Sequence, residues 1–312
     1  MNAPLTPNPT LLDRARGCAV GAAIGDALGM PLEAKPPRPL DNLLREMVRG
    51  RLPAGSFTDD TEMALALAES LLAQRPLDPA DLARRFVTWA DTGPADIGVH
   101  TSRVLWRLRR GEPWDTAAEA VQEQNRASAA NGSLMRCWPV ALVYWAEPEA
   151  LRRDSALQSR VTHVHIDCLA ACVFGNTLIA ALLRGATPAE AFDEARATVP
   201  LPDDLRDTVE LAASRRRERL RNSGWVHHTL ESALWGLLNT DSFEEALVQV
   251  VNLGGDADSA GAVVGALAGA AYGLAAIPER WRTALRGAWP PRSGTIWTER
   301  ELVTLADRLV GV

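Results

Sequence analysis

Apolar residues recur along this chain at three- and four-residue intervals, the spacing that lines one face of an α-helix. The pattern predicts helices over residues 11–30, 59–74, 78–89, 101–110, 116–124, 138–144, 168–184, 188–197, 204–220, 230–238, 242–252 and 261–277, with mostly turn and one final helix after Pro278. No window alternates with the period of two that marks a half-buried strand, and strand-favouring runs such as 161–166 are short. The expected fold class is all-α, a compact helical bundle. Gly, Pro and charge are spread without a linker, so residues 11–312 are expected to form one domain after a flexible, Pro-rich start over 1–10.

Two of the helices carry an unusual stripe. Gly17, Gly21, Gly25 and Gly29 repeat every fourth residue, and Gly261, Gly265, Gly269 and Gly273 do the same near the other end. Each interior glycine costs about 1 kcal/mol of helix propensity, and close approach of another backbone compensates for it. The two ends of the chain are therefore expected to meet in the core, unless these are two unrelated helices that merely pack tightly. The run 261–277 is apolar throughout but shorter than the roughly 20 residues that span a bilayer, so it reads as a buried helix.

Composition narrows the function. The 312 residues are 47% hydrophobic with a formal charge of -6, and 39 acidic against 33 basic residues supply no diffuse positive field for nucleic acid. Four cysteines lack the spacing of a secreted disulfide framework, and the start lacks the form of a signal peptide, so a reducing cytoplasm is the expected compartment; a monomer is the expected state. No Gly-x-Ser-x-Gly elbow, nucleophilic cysteine context or Walker lysine is present. Chemistry is left to carboxylates and metals.

Acidic residues cluster at two helix starts. Thr58-Asp59-Asp60-Thr61-Glu62 supplies more oxygen than one cap requires, although Asp59 with Glu62 also fits a capping box. Gly254-Gly255-Asp256-Ala257-Asp258-Ser259 precedes the most apolar helix; a tight turn there aims two carboxylates and a hydroxyl at one point. Oxygen-only donors suit Mg²⁺ or Mn²⁺, and Asp258 is placed to bridge two ions. Unpaired charge beside so apolar a helix costs several kcal/mol, which favours metal over simple capping. Asp26 reads as a cap or as an acceptor for a neighbouring loop, and Glu33 as a proton acceptor at a cleft or a surface residue. The turns at Asp96-Ile97-Gly98 and Asn131-Gly132-Ser133 precede helices and serve either capping or anion binding. His163, His165, Cys168 and Cys172 raise zinc as a minor alternative.

Together these segments resemble the ADP-ribosylglycohydrolase family. The likeness runs in order through Gly17-Cys18-x-x-Gly21-x-x-x-Gly25-Asp26-Ala27-Leu28-Gly29 with Glu33, Thr58-Asp59-Asp60-Thr61, Asp96-Ile97-Gly98-x-x-Thr101, Asn131-Gly132-Ser133-Leu134-Met135-Arg136, Thr162-His163 and Gly254-Gly255-Asp256-x-Asp258-Ser259. It implies an all-helical fold with two Mg²⁺ or Mn²⁺ ions and hydrolysis of the bond between ADP-ribose C1″ and an acceptor. By the resemblance, Thr58, Asp59, Asp60, Asp256, Asp258 and Ser259 are metal ligands, and Glu33, Asp59 and Asp60 are the candidates for proton transfer. Asp96, Gly98, Asn131, Gly132, Ser133, His163, Gly254 and Gly255 are assigned to substrate. The partner is an ADP-ribosylated protein or a small ADP-ribose conjugate, with the acceptor set by a rim drawn from 31–53 and 196–228. Ser259 stands where many members have threonine and lacks the methyl group that restricts the rotamer. A non-catalytic ADP-ribose-binding module and a purely structural helical protein are the competing classes.

Overall fold

A computed structural model describes residues 9–312; the flexible start expected over residues 1–10 lies, for 1–8, outside them. The helices are α1 (Pro9–Gly29), α2 (Asp59–Ala73), α3 (Pro79–Asp91), α4 (Val99–Arg109), α5 (Trp114–Gln124), α6 (Trp138–Val143), α7 (Pro148–Arg160) and α8 (Ile166–Leu183). They are followed by α9 (Pro188–Thr198), α10 (Asp203–Ala212), α11 (Val226–Leu238), α12 (Phe243–Val251), α13 (Ala257–Tyr272), α14 (Glu279–Ala284) and α15 (Glu299–Val310). Two short strands, β1 (Gly287–Ala288) and β2 (Ile296–Trp297), pair antiparallel before α15. The all-α class holds.

The glycine stripes meet face to face. A Cβ placed on Gly17, Gly21 or Gly25 would collide with the carbonyl oxygen of Gly269, Gly265 or Gly261, and the reverse collisions hold for each partner. The two backbones run antiparallel with nothing between them. Every residue of α13 from Ala257 to Ala271 is buried, enclosed by α1, α8, α11 and α12. The buried apolar residues form one continuous cluster from Leu11 to Val310, with a satellite of Val104, Ala117, Ala118 and Val121 under α4 and α5. Helix α8, with a mean hydropathy of 2.0, is long and apolar enough to cross a membrane, yet 83% of it is buried inside this fold.

Several boundaries differ from the expected ones. Helix α1 is described from Pro9, two residues ahead of the expected start at 11. Helix α10 stops at Ala212 rather than 220, because its buried positions Leu205, Val209 and Ala212 have no successor among Arg215, Arg216 and Arg217. Helix α13 stops at Gly273, whose φ of +79° leaves the helical region. The expected pattern contains no α7, since its inward face is Leu151 with Asp154, Ser155, Gln158 and Ser159, all buried and mostly polar. Helix α14 was expected as turn; Trp281 buries it.

Gly175, midway along α8, is a useful contrast, since a Cβ there meets only Leu134 Cδ1 at 3.5 Å. Replacing Gly175 with Ala is expected to be neutral or to stabilise by up to about 1 kcal/mol. Gly25→Ala is expected to destabilise by about 3 kcal/mol, because overpacking against a carbonyl outweighs the gain in propensity. Thermal melts of the two variants check the sign, and a Gly25→Ala protein as stable as the parent would contradict the close contact.

Candidate active site

Where the striped helices end, they leave acidic groups side by side. Asp26, fully buried on α1, accepts hydrogen bonds from the Thr58 N–H and hydroxyl, both at 2.8 Å, and from the Thr61 N–H and hydroxyl at 3.2 and 2.6 Å. A carboxylate from one helix thus caps the start of another. Thr58 is the N-cap residue of α2 and makes no side-chain cap of its own. The alternative capping box is not formed either, because Glu62 instead accepts the Trp89 indole N–H at 2.8 Å. Burial pushes the Glu62 carboxyl up to about 7.

The second acidic segment is aimed by its glycines. Gly254 and Gly255 both have positive φ, +66° and +62°, and side chains there would strike the backbones of Lys35 and Asn222. The Gly255 N–H donates to the Lys35 carbonyl at 2.9 Å, and the Ala34 N–H donates to the Gly255 carbonyl at 2.7 Å. These two glycines therefore pack against protein rather than lining the pocket. Their turn delivers Asp256 and Asp258 to the start of α13.

Both segments open into one pocket of about 420 Å³, within the range that holds a small molecule. Glu33, Asp59, Asp60, Asp96, Gly98, Asn131, Gly132, His163, Asp256, Asp258 and Ser259 all line it. Thr58, Ser133, Gly254 and Gly255 do not: Thr58 is turned to Asp26, and Ser133 is fully buried with its hydroxyl bonded from Ser159 at 2.8 Å. The Asn131 amide is committed to Asp256 at 2.7 Å and Thr229 at 2.8 Å, so it orients a carboxylate.

Electrostatics make this cluster costly. Burial, then repulsion from Asp96 and Asp26, drives Asp59 well above the usual carboxylate range; burial, then Asp26 and Asp258, does the same to Asp60. Asp258 is raised by burial and by Asp256. Asp60 Oδ1 is buried without a hydrogen-bond partner. An orphaned oxygen among mutually repelling carboxylates fits a hard divalent cation, and Ser259 adds a neutral oxygen donor. The carboxylates face a common space without closing into a three-residue shell of His, Cys, Asp or Glu among the described residues. The zinc alternative finds no support: Cys168 donates to the Ala130 carbonyl, Cys172 faces Ser133, and His165 caps α8.

One occupant of the mouth was not among the expected site residues. Arg51, from the Pro-rich segment, pairs with Glu33, with Asp96 at 2.6 Å and with Asp258 at 3.6 Å. Only the assignment of 31–53 to the rim pointed toward it, because a loop arginine carries no periodic signal. His100, Arg103, Asn125 and Gly224 also line the pocket, and Gly224 belongs to the other expected rim segment.

Comparison with known proteins finds relatives over nearly the whole chain. A profile of the ADP-ribosylglycohydrolase family matches residues 7–312. The ADP-ribosylarginine hydrolase Tri1 of Serratia proteamaculans is 35% identical over 89% of this chain and 76% of its own length. The ADP-ribosyl-[dinitrogen reductase] glycohydrolase of Rhodospirillum rubrum is 35% identical over 89% of this chain and 92% of its own. Among solved structures, an ADP-ribosylglycohydrolase-related protein complex superposes with a TM-score of 0.82 at 37% identity, covering 97% of this chain and 99% of that one. With the family profile spanning the acidic pocket and both glycine helices, the chain belongs to the ADP-ribosylglycohydrolase family and is a glycohydrolase acting on ADP-ribose linkages.

Proposed function

We propose that this enzyme hydrolyses the C1″ glycosidic bond between ADP-ribose and an acceptor side chain, arginine foremost, with two Mg²⁺ or Mn²⁺ ions in the acidic pocket. The observation that carries the reading is the convergence of the α2 and α13 starts on one pocket, with a buried Asp60 oxygen lacking any partner. Asp59, Asp60, Asp256, Asp258 and Ser259 would hold the ions, while Thr58, turned to Asp26 and not to the pocket, steadies the segment that carries the first two. When bound, such ions fix ribose hydroxyls and lower the pKa of water.

The chain's own residues supply the rest. Asn131 holds Asp256 in place, and Asp26 holds Thr58 and Thr61, so the oxygen donors are oriented before any ligand arrives. Carboxylates around the anomeric carbon stabilise the positive charge of an oxocarbenium-like transition state. Glu33 stands half-buried at the mouth, where it takes a proton from the attacking water or gives one to the departing group.

Arginine as acceptor is supported from two directions. Relatives named as ADP-ribosylarginine hydrolases are 35 and 37% identical to this chain. Within the pocket, Glu33 and Asp96 already share the guanidinium of Arg51. Two carboxylates that grip one guanidinium offer the same fork to a substrate arginine. ADP-ribosylated protein is the partner under this reading, and the cytoplasm the compartment.

Three outcomes test the proposal. Glu33→Gln is expected to lower kcat by about 10²-fold or more with cation uptake intact, and unchanged hydrolysis would remove Glu33 from proton transfer. Asp59, Asp60 and Asp258 have raised carboxyl pKa values, so their burial is tolerated at low pH and costs stability as the pH climbs and they ionise. Added Mg²⁺ or Mn²⁺ is thus expected to raise the melting temperature more at pH 8 than at pH 5.5, and Asp258→Asn to abolish most of that gain. A shift of equal size at both pH values would argue against these ligands. Across ADP-ribosylated arginine, ADP-ribosylated serine and O-acetyl-ADP-ribose, the highest kcat/KM is expected for arginine; binding without release from any would instead indicate a non-catalytic module.

A further inference from the structure

Beneath the pocket wall lies a cation with no ionic partner. Arg136 is fully buried, and among the described residues no carboxylate comes within 4 Å of its guanidinium. Its Nε donates to Gln158 Oε1 at 3.1 Å, and its Nη2 donates to the Gln158 carbonyl at 3.1 Å and to Thr162 Oγ1 at 2.8 Å. The guanidinium carbon sits 4.4 Å over the Phe86 ring. Burial lowers its pKa to about 10, which leaves it charged at neutral pH. A buried charge with neutral partners only is costly, and the positive potential it casts on the adjoining pocket wall favours an anionic group there over a neutral one.

Thr162 leads from that charge to the pocket. Its Oγ1, buried with the rest of the side chain, accepts from Arg136 and lies 2.7 Å from His163 Nδ1. Among the described residues the hydroxyl proton has one acceptor, Nδ1; were Nδ1 protonated, that proton would be buried without a partner among them. The imidazole proton therefore resides on Nε2. That nitrogen has no hydrogen-bond partner among the described residues and lies beside Gly132, where a Cβ would come within 3.1 Å of it. His100 stacks on the ring at 4.5 Å and is tied to the same threonine, its Nε2 donating to the Thr162 carbonyl at 2.9 Å. Burial and the neighbouring His100 and Arg136 depress the His163 pKa, so the ring stays neutral.

We propose that Arg136 and Thr162 act as positioning residues: they lock His163 as the Nε2–H tautomer and aim that proton, backed by the guanidinium charge, at a phosphate group of the ligand. The inference rests on the ADP-ribose reading for the identity of the phosphate. Gly132 leaves the approach to Nε2 open, and a side chain at that position would close it.

The test uses the full chain. Histidine ¹⁵N NMR of the ligand-free protein is expected to show His163 protonated at Nε2, with that preference lost in Thr162→Val and kept in Thr162→Ser. Titration calorimetry is expected to show ADP-ribose binding about tenfold weaker in Thr162→Val, adenosine binding unchanged, and ADP-ribose binding restored in Thr162→Ser. Wild-type His163 protonated at Nδ1, or equal ADP-ribose affinity in Thr162→Val, would overturn the proposal. Should Thr162→Val not fold, the wild-type tautomer and the serine variant still decide it. Absence of ADP-ribose binding by the wild-type protein would overturn the ligand assignment here and the substrate reading together; an Nε2–H tautomer in that same sample would show that the relay itself exists.

Discussion

The fold depends on backbone meeting backbone along the α1 and α13 glycine faces. Nothing else brings residues near 25 and residues near 260 so close, because any side chain at Gly25 or Gly261 would force the helices apart. That separation would not be a local defect. Asp26 sits on α1 and reaches the start of α2, while Asp258 sits on the first turn of α13. A contact made of the smallest residues thus sets the spacing of the buried carboxylates that line the pocket.

Charge is the opposing cost. Asp59, Asp60 and Asp258 repel each other in a site that excludes much of the water, and Arg51 offsets only part of that repulsion from the mouth. Such clusters persist where function needs them, since strain of this kind has no structural benefit. The positive element behind the pocket is different in kind, a buried guanidinium linked through a hydroxyl to an imidazole that lines it. One pocket therefore carries an acidic side and a donor side, and a molecule with both hydroxyls and phosphates matches that division.

Much of this was legible in residue order. The glycine stripes pointed to the central contact, because close approach of a backbone compensates for their propensity cost, and the structure decides for mutual packing over two unrelated small-residue helices. The acidic helix starts announced the pocket, and eleven of the expected site residues line it. Ser133, Gly254 and Gly255 were assigned to substrate, yet they serve packing, since small residues look alike whether they face ligand or backbone. Helix α7 escaped the pattern because its buried face is polar, and that polarity is what carries Gln158 to Arg136. Arg51 escaped because ion pairs between distant loops leave no trace in periodicity.

The capping of α2 by Asp26 has an evolutionary consequence. The oxygen donors after residue 57 take their position from α1, across space, and not from the chain that leads up to them. Insertions or deletions between Pro39 and Pro53, beyond Glu33 and the Ala34 and Lys35 backbone that braces the Gly255 turn, would reshape the entrance while leaving those donors in register. Acceptor preference in this lineage is thereby free to diversify on a chemical centre that stays put.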